Sequence, residues 1–270
     1  GIATVWMAYP FRRWIGRTGA LMAGIMLSIS PSLLFHSRYI RNDIYIALFA
    51  LIWAYGLFRY LEGREKRWLY IMVTGMVFGF IAKEVQFITG AIFGSFVVVL
   101  AAWRAFTQRE SIFSSPAADV AVIMLTLILP FTAPVLHEIL GWDPMAKTSS
   151  TDFIRSLGLV AVMTSLAIGL AVAWFLALRK PNPKDPPLSL ADWAGLMVFF
   201  WAIALLFFTT FLTNARDGLA TGVVGSLGYW LSQQEVARGG QPWYYYFLLT
   251  AIYEFLPTLL TLAGVAALLR

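Results

Sequence analysis

Residues 36–67 read HSRYIRNDIYIALFALIWAYGLFRYLEGREKR: a stretch at 44–61 carrying one charge, Arg59, lies between two clusters of charged residues. At 1.5 Å per residue, a helix over that stretch is about 27 Å long, close to the ~30 Å thickness of a bilayer hydrocarbon core. A backbone in lipid must satisfy its own hydrogen bonds, so the stretch reads as a membrane-spanning helix with its charges at the two interfaces.

The rest of the chain repeats this pattern. Of 270 residues, 60% are hydrophobic and 13% charged, with a mean hydropathy of +0.74. That is about half the charged share of a soluble domain. Further spans are predicted at 18–35, 68–82, 87–103, 117–140, 154–178, 190–213 and 244–269. Residues 1–10 read as the tail of an earlier span and 11–17 as a basic loop. The predicted fold class is therefore all-α: a polytopic transmembrane bundle of eight complete spans and a partial first one, forming a single domain over 1–270.

The net charge of +6 fits basic loops of a membrane protein better than a nucleic-acid partner. Assigning lysines and arginines to alternate sides of these spans puts thirteen on one face and seven on the other. The richer face is expected to be cytoplasmic. The connections at 62–67 and 179–187 on that face read as solvated turns or a stiff linker. The longer polar connections, 141–153 and 214–243, then fall outside, and function is expected there. With no cysteine and two histidines, thiol chemistry and clustered metal ligation have little support. GxSxG, HExxH and CxxC motifs are absent, and the GSLGYW segment lacks the strand–turn–helix setting of a phosphate loop.

Four groups of residues could carry chemistry. Arg38 and Arg41 are three apart; in a helical turn they would share a face and offer two guanidinium forks to a phosphate. Alternatively they reach for lipid headgroups, while Asp43 caps the next helix under either reading. Lys83 and Glu84 interrupt an apolar run, and Gln86 follows. Charges at that depth normally face a polar cavity or a partner, the other reading being a pair at a helix end. Glu254 lies about ten residues into the last apolar run, near Pro257; it could titrate high, bind a sugar hydroxyl or pair with an interior Arg or Tyr. Finally, 219–236 has the apolar spacing of an amphipathic helix on the outer membrane surface. It leads into Gln233, Gln234, Glu235, Arg238, Trp243 and Tyr244, a mixture found both in interfacial belts and on sugar-binding surfaces.

The unit SPSLLFHSRYIRNDIYIALFALIWAYGLFRYLEGREKRWLYIMVTGMVFGFIAKEVQF, residues 30–87, resembles the GT-C type polyprenyl-phosphate-sugar-dependent membrane glycosyltransferases related to protein O-mannosyltransferases. The positions that match are Arg38, Asp43, Arg59, Trp68, Gly75, Gly79 and Lys83. The tract SLGYWLSQQEVARGGQPWYYYFLLTAIYEFLP, 226–257, is similar to a flippase-activity-associated subfamily of bacteria and archaea. The resemblance implies transfer of a sugar from an isoprenoid-phosphate donor at the extracytoplasmic face of a bacterial or archaeal plasma membrane. It implies donor-phosphate contacts at Arg38, Arg41 and Lys83. Glu84 and the 233–238 tract would border the site, with Asp43, Trp243, Tyr244 and Glu254 lining the sugar or acceptor side. Isoprenoid-phosphate and membrane lipids are the implied partners, and other membrane subunits stay open. The family's acidic Asp-Glu pair and His-Gly-Pro tripeptide are absent from this chain. Either the segment begins after the family's first span and outer loop, which would also carry any divalent metal, or the protein is a non-catalytic accessory subunit.

Overall fold

The computed structural model describes residues 1–39, 42–142, 150–180, 186, 188–232, 242 and 244–268. Among them, regular structure is helical throughout: α1 (Ile2–Trp6), α2 (Ala8–Ile29), α3 (Pro31–Arg38), α4 (Asp43–Gly63), α5 (Lys66–Ala82), α6 (Gln86–Gln108), α7 (Pro116–Ile128), α8 (Ala133–Ile139), α9 (Ser150–Val172), α10 (Leu190–Phe208), α11 (Ala215–Gly218), α12 (Gly225–Ser232), α13 (Tyr245–Tyr253) and α14 (Phe255–Leu268). A 3₁₀ turn, Leu129–Thr132, joins α7 to α8, and a π-helical stretch, Ala173–Leu178, extends α9.

Five of the expected spans are helices long and apolar enough to cross a membrane: Asp43–Gly63, Gln86–Gln108, Pro116–Ile139, Phe153–Leu178 and Leu190–Phe208. Two more are broken pairs: α2 and α3 meet at 55°, and α13 and α14 at 102°. The remaining expected span, 68–82, is α5, a helix of 17 residues. The predicted basic loop at 11–17 is instead helical, interrupted only at Gly16, whose φ of 72° suits a residue without a Cβ.

The chain's contacts form two compact units: Gly1–Leu51 with Val236–Arg270, and Ile52–Glu235. The second holds the main core. α5 is buried along most of its length by Leu69, Met72, Met76 and Phe80, packed with Trp53, Leu57, Ile123, Leu127 and Phe200. Phe131 is an aromatic hub, stacked on Phe80 at 5.1 Å and on Trp201 at 4.7 Å. In lipid such packing works through dispersion and close fit, because lipid tails are as apolar as the side chains. Outward-facing Ile92, Val98, Val99, Leu166 and Val198 meet that lipid instead.

The connections at the arginine-rich ends are more than solvated turns. Asp119, in the first turn of α7, accepts hydrogen bonds from Arg179 Nε at 2.8 Å, Arg179 Nη2 at 3.0 Å and Trp174 Nε1 at 2.9 Å. Their side chains are 4% exposed for Asp119 and 11% for Arg179, so this is a buried ion pair. Lys66 Nζ also donates to both oxygens of Asp192, at 2.7 and 2.8 Å, and Asp192 forms a capping box with Ser189. Here the lysine is 42% exposed and Asp192 23%. Lys66→Ala is accordingly expected to cost no more than about 1 kcal/mol in a denaturant titration of the detergent-solubilised protein. A larger loss would show that the pair is effectively desolvated.

Candidate functional site

In the first unit, the sequence Ser30-Pro31 sets the geometry. Proline supplies no N–H and is favoured in the first turn of a helix, so α2 stops and α3 restarts here. Ser30 caps α3 by accepting from Leu33 N–H at 3.2 Å. Arg38 lies at the other end, in the last turn, where a cation also complements the helix dipole. Its guanidinium has no hydrogen-bond or ion-pair partner among the described residues. It lines a cavity of about 900 Å³ with Thr4, Leu27, Ser28, Leu33 and Ser37, and is the single charged side chain on that wall among the described residues.

The helical spacing expected to place Arg38 and Arg41 on one face loses its premise. The helix ends at Arg38, and Tyr39 is extended, with φ −83° and ψ 134°. Arg41 itself lies outside the described residues. Asp43, expected to cap α4, is its first residue, where a carboxylate meets the positive end of the helix dipole.

Glu254 belongs to the same unit. Its expected partner, an interior Arg or Tyr, is replaced by serine. The proline ring of Pro257 conflicts with the carbonyl four residues earlier, that of Tyr253, and α13 ends at that residue. The resulting break turns Glu254 toward the other break in this unit. Its Oε1 accepts from Ser30 Oγ at 2.6 Å and from Ser32 N–H at 3.2 Å.

In the second unit, Lys83 ends α5 with an extended backbone, Glu84 and Val85 form the turn, and Gln86 opens α6. Lys83 and Glu84 are half-buried at this junction, where the sequence places them. Gln86 is fully buried, with neither carboxamide atom hydrogen-bonded within the described residues. Gly79 makes room for it, since a Cβ there would overlap the carboxamide.

Of the expected amphipathic helix at 219–236, the described part to Ser232 is helical. Its apolar face is not laid on a membrane surface: Val223, Val224 and Leu227 are buried against protein. Gln233, Gln234, Glu235, Arg238 and Trp243 lie outside the described residues, and Tyr244 is exposed ahead of α13.

His137 is one of the two histidines of the chain and is buried. The structure supplies Ser156, whose hydroxyl is 3.2 Å from His137 Nε2, and the edge of Trp142. Ser156 also lines an apolar cavity of about 370 Å³ with Phe153, Val160, Met197, Trp201 and Val223. Among the described residues, no three His, Asp or Glu side chains converge to hold a metal ion, so no step is assigned to one.

The chain matches the dolichyl-phosphate-mannose-protein mannosyltransferase family profile over residues 1–136, a region that includes Arg38, Asp43, Lys83 and Glu84. No curated protein and no solved structure matches it.

Proposed function

Because the chain belongs to the dolichyl-phosphate-mannose-protein mannosyltransferase family, we propose that it binds an isoprenoid-phosphate sugar donor and that Arg38 receives the donor's phosphate. Family membership supports a membrane glycosyltransferase of the GT-C type. The observation that carries the phosphate assignment is the Arg38 guanidinium, with no hydrogen-bond or ion-pair partner among the described residues, on the wall of a cavity otherwise lined by serine, threonine, Trp6 and aliphatic residues. Arg38 is exposed, so an anion can reach it, and guanidinium fits a phosphate with parallel hydrogen bonds. It would hold the phosphate in place and spread the charge that grows on it as the sugar–phosphate bond breaks.

Lys83 is a second candidate phosphate contact, on the strength of its match to the family pattern. The extracytoplasmic placement rests on the lysine and arginine count. Assignment to the flippase-activity-associated branch rests on the 226–257 tract.

The test uses the protein in lipid nanodiscs with farnesyl phosphate as probe. Arg38→Gln is expected to weaken binding about tenfold, because a charge-assisted hydrogen bond contributes ~1.5–3 kcal/mol. Arg38→Lys should recover part of the loss, since lysine restores the charge without the fork. Unchanged affinity in Arg38→Gln would overturn the assignment.

A further inference from the structure

The interruption at Gly16 does more than kink α2. In a straight helix, Ala8 and Gly24 would stand about 24 Å apart. Here a Cβ on Gly24 would lie 3.8 Å from that of Ala8, one on Gly19 3.1 Å from that of Ile15, and one on Gly1 3.1 Å from that of Ser37. The chain therefore folds back at Gly16, whose φ of 72° and ψ of 175° make the turn, and the residues before it run antiparallel to those after it.

Each arm turns one face to the other. Val5, Tyr9 and Arg12 recur at the four- and three-residue spacing of a single helical face, and Arg17, Leu21 and Gly24 repeat that spacing on the second arm. Together they line a cavity of about 420 Å³. Arg12 and Arg17 stand nearest the turn, and the apolar members stand away from it.

The arginine end has no counter-charge. Residues 1–42 contain five arginines and neither aspartate nor glutamate, and no carboxylate lines the cavity among the described residues. Arg12 lies over the Tyr9 ring at 3.6 Å and its Nη1 donates to Tyr9 O at 3.2 Å. That contact orients the guanidinium and leaves most of its five N–H donors for a ligand. Arg17 is exposed and makes no hydrogen bond or ion pair among the described residues.

The span expected at 18–35 starts just past this turn, so the arginines stand at one interface of the bilayer while the apolar part of the groove enters it. A phosphodiester meets two guanidinium groups with charge-assisted hydrogen bonds. A zwitterionic headgroup would bring an ammonium as well, for which this wall has no carboxylate. Trp6 and Tyr9 are exposed aromatics of the kind that settle at headgroup level.

We propose that the groove at the Gly16 turn binds an anionic glycerophospholipid, its phosphate held by Arg12 and Arg17 and an acyl chain lying along Val5, Leu21 and Gly24. The site depends neither on the glycosyltransferase reading nor on Arg38, which lies at the opposite end of the same span.

The test is native mass spectrometry of the detergent-solubilised protein, titrated with phosphatidylglycerol and with phosphatidylcholine of the same acyl chains. The parent is expected to bind phosphatidylglycerol about tenfold more tightly. Arg12→Gln and Arg17→Gln should each remove most of that preference, and Arg17→Lys should keep part of it, having the charge without the fork. Arg13→Gln, next to Arg12 but off the cavity wall, should leave it within about twofold in physiological salt, which screens a charge outside the site. Inorganic phosphate, which has no acyl chain, should not displace the lipid.

Equal affinity of the parent for the two lipids overturns the proposal. So does an equal loss in Arg12→Gln, Arg13→Gln and Arg17→Gln, which would mean diffuse attraction rather than a site. Displacement by inorganic phosphate would make this an ion site and overturn the lipid assignment. A lower melting temperature for Arg17→Gln in lipid-free detergent also counts against it, because a side chain without protein partners should not hold the fold. Arg38→Gln should leave the lipid preference intact, so failure here and failure of the donor-phosphate assignment are read separately.

Discussion

Asp119→Ala is expected to destabilise the protein by about 3 to 5 kcal/mol, read as a shift of the unfolding midpoint in a detergent-micelle denaturation series. The size follows from what the substitution strands. The Asp119 carboxylate accepts from Arg179 through Nε and Nη2 and from the indole of Trp174, while Arg179 Nη1 donates to Leu188 O at 3.0 Å. Alanine leaves a buried guanidinium and a buried indole N–H with their desolvation already spent. Exchanging both ions for apolar residues, Asp119→Leu with Arg179→Met, should recover much of the loss, since the cost of the single variant lies in the partner left behind. A loss below about 1 kcal/mol for Asp119→Ala would mean that water reaches the pair.

Gly56→Ala is expected to cost about 3 kcal/mol in the same measurement, at the upper end of typical overpacking penalties. Gly56 lies where α4 crosses α5. A Cβ there would overlap Met72 N and come within 2.8 Å of both Met72 Cα and Trp68 O. All three are backbone atoms, so no side chain can rotate aside and the helices must separate. Met72 and Leu57, both fully buried at this crossing, would lose contact with their neighbours. Gly94→Ala in α6 is the control: nothing lies within 4 Å of its added Cβ, and helix propensity favours alanine by ~1 kcal/mol. If both variants behave like the control, the crossing is looser than its geometry indicates.

The spans were legible because a lipid solvent imposes one rule on every residue it touches. The run at 44–61 needed only length and apolarity to be identified, and it forms most of α4. The breaks were less legible, because each depends on what the freed backbone meets. Pro257 marks the second in the sequence, but nothing local says that Glu254 turns to Ser30, 224 residues away. The same holds for Asp119 with Arg179 and for His137 with Ser156: each contact closes across helices, so the spacing of residues along the chain carries no trace of it. From the sequence, Arg38 is proposed on its type and position alone. Its pairing with Arg41 assumed a helix that ends at Arg38 itself. The aromatic and glutamine tract before α13 lies outside the described residues, and its expected role stays with the sequence.

The first unit is assembled from the two ends of the chain, with the second unit encoded between them. Ser30 therefore enters the bilayer long before its acceptor has been made. At ~5–20 residues per second, the ribosome needs roughly ten to forty seconds to travel the 224 residues from Ser30 to Glu254. Throughout that interval the α2–α3 break has its serine cap but no carboxylate, and by its end every residue of the second unit has been made. The order of synthesis thus lets the aromatic core begin to pack before the Ser30–Glu254 bond can close.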